Sequence, residues 1–260
     1  MVRRLKTASA DVIAESLFEW KNAVAYFHGL RVEERTVHIG GRALRIASLK
    51  DAAALLDEPD FARRFLEEDC APYGLELWPA AIMLAAHIMR DEPGDRRLAL
   101  DLGCGLGLVA MAAAVHGWRV VAADHEPTSL RFAEFNARAN DVAIESFEPL
   151  DWRRPQAGRR FDRIFAADVL YQRTDHVPIL RCLEALLGDG GVALLADPRR
   201  GVADGFDLLA VQNGFQVRVL PADTAEHHRS PTSKGGGPVR LRVYSNRGVK
   251  VSLRHTLSGL

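Results

Sequence analysis

The segment Leu98–Leu108 constrains the fold of this chain more than any other. It reads L-A-L-D-L-G-C-G-L-G-L, a short apolar run broken by Gly103, Gly105 and Gly107. A run of mostly good helix formers, V-A-M-A-A-A-V, follows at once. Strand, glycine turn and helix form the first half of a nucleotide-binding βαβ unit. In such a unit the glycines let the chain turn sharply and let a ligand approach the backbone, while the helix N-terminus offers free N–H groups.

Two acidic residues near the glycines indicate the kind of ligand. The spacing is G-x-G-x-G rather than the G-x-G-x-x-G of dinucleotide sites, and Asp101 stands just before the first glycine. A carboxylate there suits a cationic ligand group better than a pyrophosphate. Asp124 follows the next apolar run, about 20 residues past the first glycine, a distance at which an acid can meet a ribose diol. Together these features resemble the cofactor site of class I S-adenosylmethionine-dependent methyltransferases.

Blocks before and after the glycines resemble the seven-strand family that contains the eukaryotic lysine methyltransferases. The segment 72–79, P-Y-G-L-E-L-W-P, is similar to P-Y-W-x-x-x-W-P, with Gly74 in place of the first tryptophan and Trp78 retained. Asp151 and Trp152 resemble the family's L-D-W block. The resemblance implies that Trp78 packs near the methionine end of the cofactor. It also implies that Asp151 accepts a hydrogen bond from the adenine amino group and that Trp152 closes the pocket.

A third block, A-D-V-L-Y at 167–171, resembles the D-x-x-Y signature after the family's fourth strand. That strand end borders the topological switch point, where an open α/β sheet forms its crevice. The resemblance assigns Asp168 and Tyr171 to the catalytic pocket, where they face the transferred methyl group. It assigns the following residues to S-adenosylmethionine: Trp78, Asp101, Gly103, Cys104, Gly105, Gly107, Asp124, His125, Asp151, Trp152 and Ala167.

Each of these side chains also has a purely structural interpretation. Asp124 could cap the helix that begins near Pro127, and Asp168 could cap a helix of its own. His125 could be exposed. The aromatic residues could belong to the core: Tyr73, Trp78, Trp152 and Tyr171. The structural interpretation does not require a common cleft, so the placement of the acidic residues tests the assignment.

Alternating strands and helices from Leu98 to Val211, followed by a hairpin, predict a mostly parallel sheet with helices on both faces. The resemblance implies a Rossmann-like α/β fold with seven strands, the last of them antiparallel. We therefore predict an N-terminal extension at 1–70, a methyltransferase domain at 71–246 and a tail at 247–260.

Within the extension, residues 1–30 have apolar side chains at steps of three and four, which predicts a helix. Two short runs on either side of Gly40-Gly41 predict a β-hairpin. The amphipathic pattern of residues 49–66 predicts one or two short helices. The extension could be a helical cap over the sheet, or a lid and substrate platform. The composition of 227–238 predicts a flexible loop that could act as a flap.

Charge and cysteine content narrow the partners and the compartment. The net charge of the 260 residues is zero, which argues against a nucleic-acid partner. No apolar run approaches the ~20 residues of a membrane span, and the N-terminus lacks the apolar core of a secretion signal. Cys70, Cys104 and Cys182 have no metal-ligand spacing and fit free thiols in a reducing cytoplasm.

The resemblance implies methyl transfer from S-adenosylmethionine to a nitrogen, with a lysine ε-amine on a partner protein as the leading acceptor. A small-molecule N- or O-methyltransferase is an alternative, because one fold serves many substrates. A non-enzymatic S-adenosylmethionine-binding protein is another. The N-P-P-Y tetrapeptide of base-methylating enzymes is absent, and A-D-V-L-Y stands in its place.

Overall fold

The protein contains two β-sheets, seen in a computed structural model that describes residues 19–21, 24–68, 71–155, 158–198, 201–220 and 239–246. The larger sheet has seven strands in the order β10-β11-β9-β8-β5-β6-β7. They are β5 (Leu98–Leu102), β6 (Arg119–Asp124), β7 (Ser146–Pro149), β8 (Phe161–Ala167), β9 (Leu187–Asp197), β10 (Phe215–Val219) and β11 (Arg240–Asn246).

The central strands are parallel, and the last strand of the chain is antiparallel. β5 pairs with β6 on one side and β8 on the other, and the β6–β7 and β8–β9 pairs are also parallel. β11 runs antiparallel to both β9 and β10. The predicted Rossmann-like fold class is therefore confirmed. Parallel strands carry apolar residues on both faces because helices cover them, and this is the pattern of β5 and β6.

Helices cover both faces of this sheet. The α-helices are α1 (Pro59–Glu68), α2 (Pro79–Ile88), α3 (Leu108–Val115), α4 (Pro127–Ala139), α5 (His176–Leu186) and α6 (Asp204–Gln212). Short 3-10 helices occupy Ala52–Asp57, Pro72–Leu75 and Arg173–Asp175. α2 and α3 share one core cluster with the sheet, and α5 and α6 share the cluster on the other face. None of the helices in the described part of the chain has the length and apolar character needed to cross a bilayer.

The smaller sheet corrects the prediction of a helix over residues 1–30. Its four antiparallel strands are β1 (Glu19–Lys21), β2 (Val24–Phe27), β3 (Leu30–Ile39) and β4 (Arg42–Leu49). Residues 1–18 lie outside the described range. In β2, Ala25 and Phe27 are buried while Tyr26 between them is half-buried, so the buried positions repeat every two residues. The predicted hairpin at Gly40-Gly41 is present, with Ile39 opposite Arg42.

The small sheet packs on α4, the helix that follows β6. Phe27 contacts Phe132 of α4 with ring centroids 5.3 Å apart. The side-chain amide of Asn136, on the same helix, bonds both the N–H and the C=O of Ala47 in β4. In a third hydrogen bond, Nδ2 of this amide donates to the carbonyl oxygen of Leu106 in the glycine loop. These contacts join the small sheet, which comprises described residues between 19 and 49, to the helix and the glycine loop beside it.

The segment 188–191, which reads G-D-G-G, lies inside a strand rather than in a turn between a helix and a strand. α5 ends at Leu186, and β9 begins immediately and includes all four residues 188–191. The pairing with β8 shifts register between Phe161 and Arg163, and Gly190 has φ +77°. This irregularity absorbs the extra residues within a single strand. The 227–238 loop and the 247–260 tail lie outside the described residues.

Candidate active site

A cavity of about 530 Å³ opens at the carboxyl ends of β5, β6 and β8. This is where open α/β sheets bind their ligands. Asp101, Asp124 and Asp151 all line it. The other assigned residues in its wall are Trp78, Gly103, Cys104, Gly105, His125, Trp152, Ala167, Asp168 and Tyr171. Carboxylates from three successive strands or strand ends thus share one cleft.

The glycine loop after β5 forms the floor of the cavity. Gly103 has φ +71°, and a Cβ there would lie 3.0 Å from Val169 Cγ1. Gly105 has φ +50°, and its Cβ would lie 3.0 Å from the carbonyl oxygen of Gly74. Both positions therefore need glycine for their backbone conformation as well as for the close approach of neighbouring residues.

Gly107 is the one assigned residue that does not line the cavity. It is buried, has φ +79° and stands immediately before α3. A Cβ at this position would lie 3.0 Å from the Cβ of Ala133 in α4. The structure therefore gives Gly107 a packing role between two helices instead of a place beside a ligand.

Asp124 ends β6 and is held by two backbone donors. The N–H of Gly105 donates to Oδ2 at 2.8 Å, and the N–H of Glu126 donates to Oδ1 at 2.9 Å. Burial raises the pKa of Asp124, and these two hydrogen bonds oppose the rise. The carboxylate is fixed in orientation toward the cavity, as a group that binds two neighbouring hydroxyls must be.

Asp101 is more deeply buried, with 1% of its surface exposed. It accepts a hydrogen bond from the N–H of Ala110 in the first turn of α3 at 2.8 Å. Burial raises its pKa to about 8, although that hydrogen bond lowers it, and the nearby Asp124 raises it further. Burial is also the largest cause of the raised pKa of the Cys104 thiol, and the charges of Asp124 and Asp101 raise that pKa further. Cys104 is therefore a neutral thiol in the wall rather than a thiolate nucleophile.

Aromatic side chains form the opposite wall. Tyr73 contacts the edge of Trp78 with ring centroids 6.2 Å apart and the edge of Tyr171 with centroids 6.3 Å apart. The indole Nε1 of Trp78 donates to the carbonyl oxygen of Tyr73 at 2.7 Å. Because 43% of Tyr73 remains exposed, this wall reaches the mouth of the cavity.

Asp168 follows β8 in an unusual backbone conformation. Its φ is +57°, in the left-handed region that aspartate tolerates better than most residues. The N–H of Asp168 donates to the carbonyl oxygen of Ala196 in β9 at 2.7 Å, which holds this turn against the sheet. Strained residues of this kind cluster at functional sites, where the surrounding structure maintains them.

Several residues in or behind the wall were not predicted from the sequence. The wall also contains Gly74, Glu76, Glu126, Ser129, Arg153 and Gln172. Glu126 precedes the proline that begins α4, a position typical of a helix N-cap, and this signal could have been used. No local signal marks Arg64, which bonds Glu126 from 62 residues away. Arg153 donates from Nε to buried Asp175 at 3.2 Å, another contact that only the fold reveals.

The wall suits a cationic nucleoside. The volume of the cavity lies within the range of about 300–1,000 Å³ that is usual for small-molecule sites. The buried Nε1 of Trp152 has no hydrogen-bond partner among the described residues, so a polar acceptor on a ligand would satisfy it. The carboxylates supply acceptors for hydroxyl and amino groups. S-adenosylmethionine offers matching groups: a sulfonium, an ammonium, a ribose diol and a purine.

Known proteins resemble this chain in sequence and in fold. The ubiquinone biosynthesis O-methyltransferase of Xanthomonas campestris pv. campestris (strain B100) is 32% identical over 140 residues, covering 52% of this chain and 55% of the relative. The chain thus spans about half the length of this relative. The ribosomal protein L11 methylase from Lactobacillus delbrueckii subsp. bulgaricus has a TM-score of 0.50 at 20% identity. The matched region covers 64% of this chain and 76% of the methylase chain, and the two proteins share the fold.

Two further comparisons identify the family. The protein N-lysine methyltransferase METTL21A of Danio rerio is 30% identical over 161 residues, which cover 57% of this chain and 71% of that protein. The family profile described as "Lysine methyltransferase" matches residues 60–207, more than half of the chain. This range contains all the residues that we assigned to the site. The chain therefore belongs to the lysine methyltransferase family.

Proposed function

We propose that this protein transfers a methyl group from S-adenosylmethionine to the ε-amine of a lysine on a partner protein. One observation carries the proposal: Asp168 and the aromatic wall open onto the same cavity as Asp101, Asp124 and Asp151. A cofactor side and an acceptor side thus meet in a single space. Membership of the lysine methyltransferase family supports the choice of acceptor.

The residues on the acceptor side suit a cationic amine. S-adenosylmethionine, when bound, supplies an activated methyl group on a sulfonium. A lysine amine is protonated at neutral pH, so its nitrogen must lose a proton before its lone pair can react. The Asp168 carboxylate attracts the ammonium, and the faces of Tyr73 and Tyr171 bind cations favourably. In this pocket Asp168 takes the proton or passes it to water, and the aromatic wall orients the nitrogen.

On the cofactor side, we propose that the assigned residues bind and orient the nucleoside. Asp124, held by two N–H groups, accepts from the ribose hydroxyls, and Asp151 accepts from the adenine amino group. His125 and Trp152 cover the purine, while Trp78 and Cys104 flank the methionine portion. Asp101 faces the cationic end, where a positive ligand charge would favour the ionised carboxylate.

A small-molecule O-methyltransferase is the second candidate, because of the 32% identity to a ubiquinone biosynthesis enzyme. The exposure of Tyr73 at the cavity mouth favours the protein acceptor, since a macromolecule must reach the site from outside. Incubation of the protein with radiolabelled S-adenosylmethionine and cell extract separates the two. We expect label in a protein band that is lost on protease treatment. Label confined to the small-molecule fraction would contradict a protein acceptor, and no label at all would favour a binding protein.

We further propose that residues 71–246 carry the transfer activity, with 1–70 as an extension and 247–260 as a tail. The buried free thiols of Cys104 and Cys182 are compatible with the reducing cytoplasm as the compartment. Cys70 lies outside the described residues. Fractionation of cells expressing the tagged protein, followed by immunoblotting, tests the compartment.

A further inference from the structure

An ion pair connects the N-terminal region to the wall of the cavity. The Nη1 atom of Arg64 in α1 lies 2.6 Å and 2.7 Å from the two carboxylate oxygens of Glu126. The Glu126 side chain is 5% exposed and the Arg64 side chain 23% exposed, so water screens this pair weakly. The guanidinium also lies 4.6 Å from the ring centroid of Phe61, one turn earlier on α1. The guanidinium of Arg64 is therefore held by both a carboxylate and an aromatic ring.

Glu126 passes this constraint on to Asp124. The N–H of Glu126 donates to Asp124 Oδ1, and its own Oε1 accepts from the N–H of Thr128 at 3.0 Å. Glu126 thus fixes the start of α4 with its side chain and one oxygen of Asp124 with its backbone. Any movement of Glu126 would change the hydrogen bonding of the carboxylate that we assign to the ribose.

Charge balance shows why Arg64 is needed at this position. Burial acts to raise the pKa of Glu126, but the hydrogen bonds from Arg64 and Thr128 outweigh it and hold that pKa below its ordinary value. The charge of Arg64 on α1 lowers the pKa of Glu126, and the charges of Glu126 and His125 act in opposite directions on the pKa of Asp124. Without Arg64, burial and the neighbouring Asp124 would both disfavour the Glu126 carboxylate.

We propose that Arg64 is a positioning residue for the cofactor: acting through Glu126, it holds the Asp124 carboxylate in the cavity. The N-terminal region then helps to position a cofactor-binding residue and does not act as a lid over the site. A second contact agrees with this, because Asn136 joins Ala47 of the small sheet to Leu106 of the glycine loop. The inference rests on the proposed function only in requiring that the cavity binds S-adenosylmethionine.

Calorimetry with S-adenosylhomocysteine, the demethylated product, tests the proposal without any acceptor. Arg64→Ala should weaken binding about tenfold or more, because a buried carboxylate loses its partner. Arg63→Ala is the matched control, since Arg63 is one residue away on α1 and, among the described residues, forms ion pairs with exposed Asp60 and Glu67. We expect the control to stay within about twofold of wild type. Arg64→Lys should recover part of the loss, since lysine restores the charge.

The pH dependence separates positioning from a merely structural role. Asp101 and Asp124 also titrate in the cavity, so the informative quantity is the ratio of the Kd values of Arg64→Ala and wild type. This ratio should grow as the pH falls, because without Arg64 the buried Glu126 carboxylate takes up a proton more readily. The single substitution Glu126→Gln should weaken the binding of S-adenosylhomocysteine. The double variant with Arg64→Ala should show little further loss of affinity.

Three results would overturn the inference. One is a folded Arg64→Ala variant that binds as tightly as the Arg63→Ala control, with a ratio independent of pH. If Arg64→Ala does not fold, the inference would instead be overturned by Arg64→Lys and Glu126→Gln variants that both bind S-adenosylhomocysteine with wild-type affinity. A wild-type protein that gives neither heat nor a thermal shift with S-adenosylhomocysteine would overturn the proposed function as well as this inference. Binding by wild type with unaffected variants would overturn the inference alone.

Discussion

The two walls of the cavity are built in different ways. On the proposed cofactor side, Asp101 and Asp124 accept hydrogen bonds from backbone N–H groups of α3, the glycine loop and the residue before α4, and burial raises both pKa values. On the proposed acceptor side, Asp168 has a left-handed backbone conformation and lines the cavity together with Tyr73, which is 43% exposed. The carboxylates of the first wall are held by backbone hydrogen bonds, and the second wall reaches the solvent.

This difference indicates a division of labour. A rigid, buried wall suits a ligand that is the same in every turnover, because preorganised groups lose little entropy when it binds. An aromatic wall that reaches the surface suits an acceptor presented by a larger molecule. Substitutions on the two walls should therefore affect different measured quantities, affinity for the cofactor on one side and the rate of transfer on the other.

The largest effect is expected from Asp168→Asn on the acceptor side. Asparagine tolerates the φ of +57°, so the turn should persist while the negative charge is lost. The transfer rate into the labelled protein acceptor should fall by roughly 10²- to 10⁴-fold, the usual worth of a positioned acid–base group. Affinity for S-adenosylhomocysteine, measured by calorimetry, should stay within about twofold of wild type.

Asp141→Asn is the control for that substitution. Asp141 is exposed and also has a positive φ, +55°, so the same chemical change is made in a similar backbone conformation away from the cavity. The control should leave both rate and affinity unchanged. If Asp168→Asn reduces cofactor affinity as much as the transfer rate, Asp168 belongs to the cofactor wall and the division fails.

Asp124→Ala should give a smaller effect of the opposite kind. Removing the carboxylate takes away charge-assisted hydrogen bonds to the ribose and should weaken S-adenosylhomocysteine binding by about 1–3 kcal/mol, roughly 5- to 150-fold. Transfer should recover at saturating S-adenosylmethionine, because the acceptor wall is intact. Steady-state kinetics would then show a raised KM for the cofactor and a nearly unchanged kcat. A kcat that stays low at saturation would place Asp124 in the chemistry.

The cofactor wall was easier to predict from sequence than the structure that supports it. The glycines, Asp101 and Asp124 lie within about 25 residues, and parallel strands bring their carboxyl ends to one edge of a sheet, so their meeting follows from the local pattern. The N-terminal strands were mispredicted because short apolar runs fit both helical and strand spacing until pairing partners are known. Arg64 and Glu126 are far apart along the chain, and only the packed fold brings them together.

The left-handed turn at Asp168 shows a similar limit. The D-x-x-Y resemblance identified the residue, but a positive φ depends on how β8 and β9 pair and cannot be inferred from an aspartate alone. Gly107 is the converse case, because its place in the glycine pattern suggested a ligand role and the neighbouring helix α4 gives it a packing role. Spacing predicts which residues gather at a strand end, and tertiary packing decides which of them face the cavity.

The smallest predicted effect concerns the stability of the cofactor wall without ligand. The pKa of Asp101 is about 8 in the folded protein and 3.8 for the free side chain, so from about pH 4 to pH 8 the folded state binds a proton that the unfolded state has lost. By linkage, this group's contribution to the free energy of unfolding falls as the pH rises through that range.

The variant Asp101→Asn lacks this titrating group. The Tm of wild type should therefore fall by several degrees relative to the Tm of Asp101→Asn between about pH 5 and pH 8. Scanning calorimetry measures this, with exposed Asp95→Asn as the control that should track wild type. A difference that is constant with pH would mean that Asp101 ionises normally and that burial does not raise its pKa.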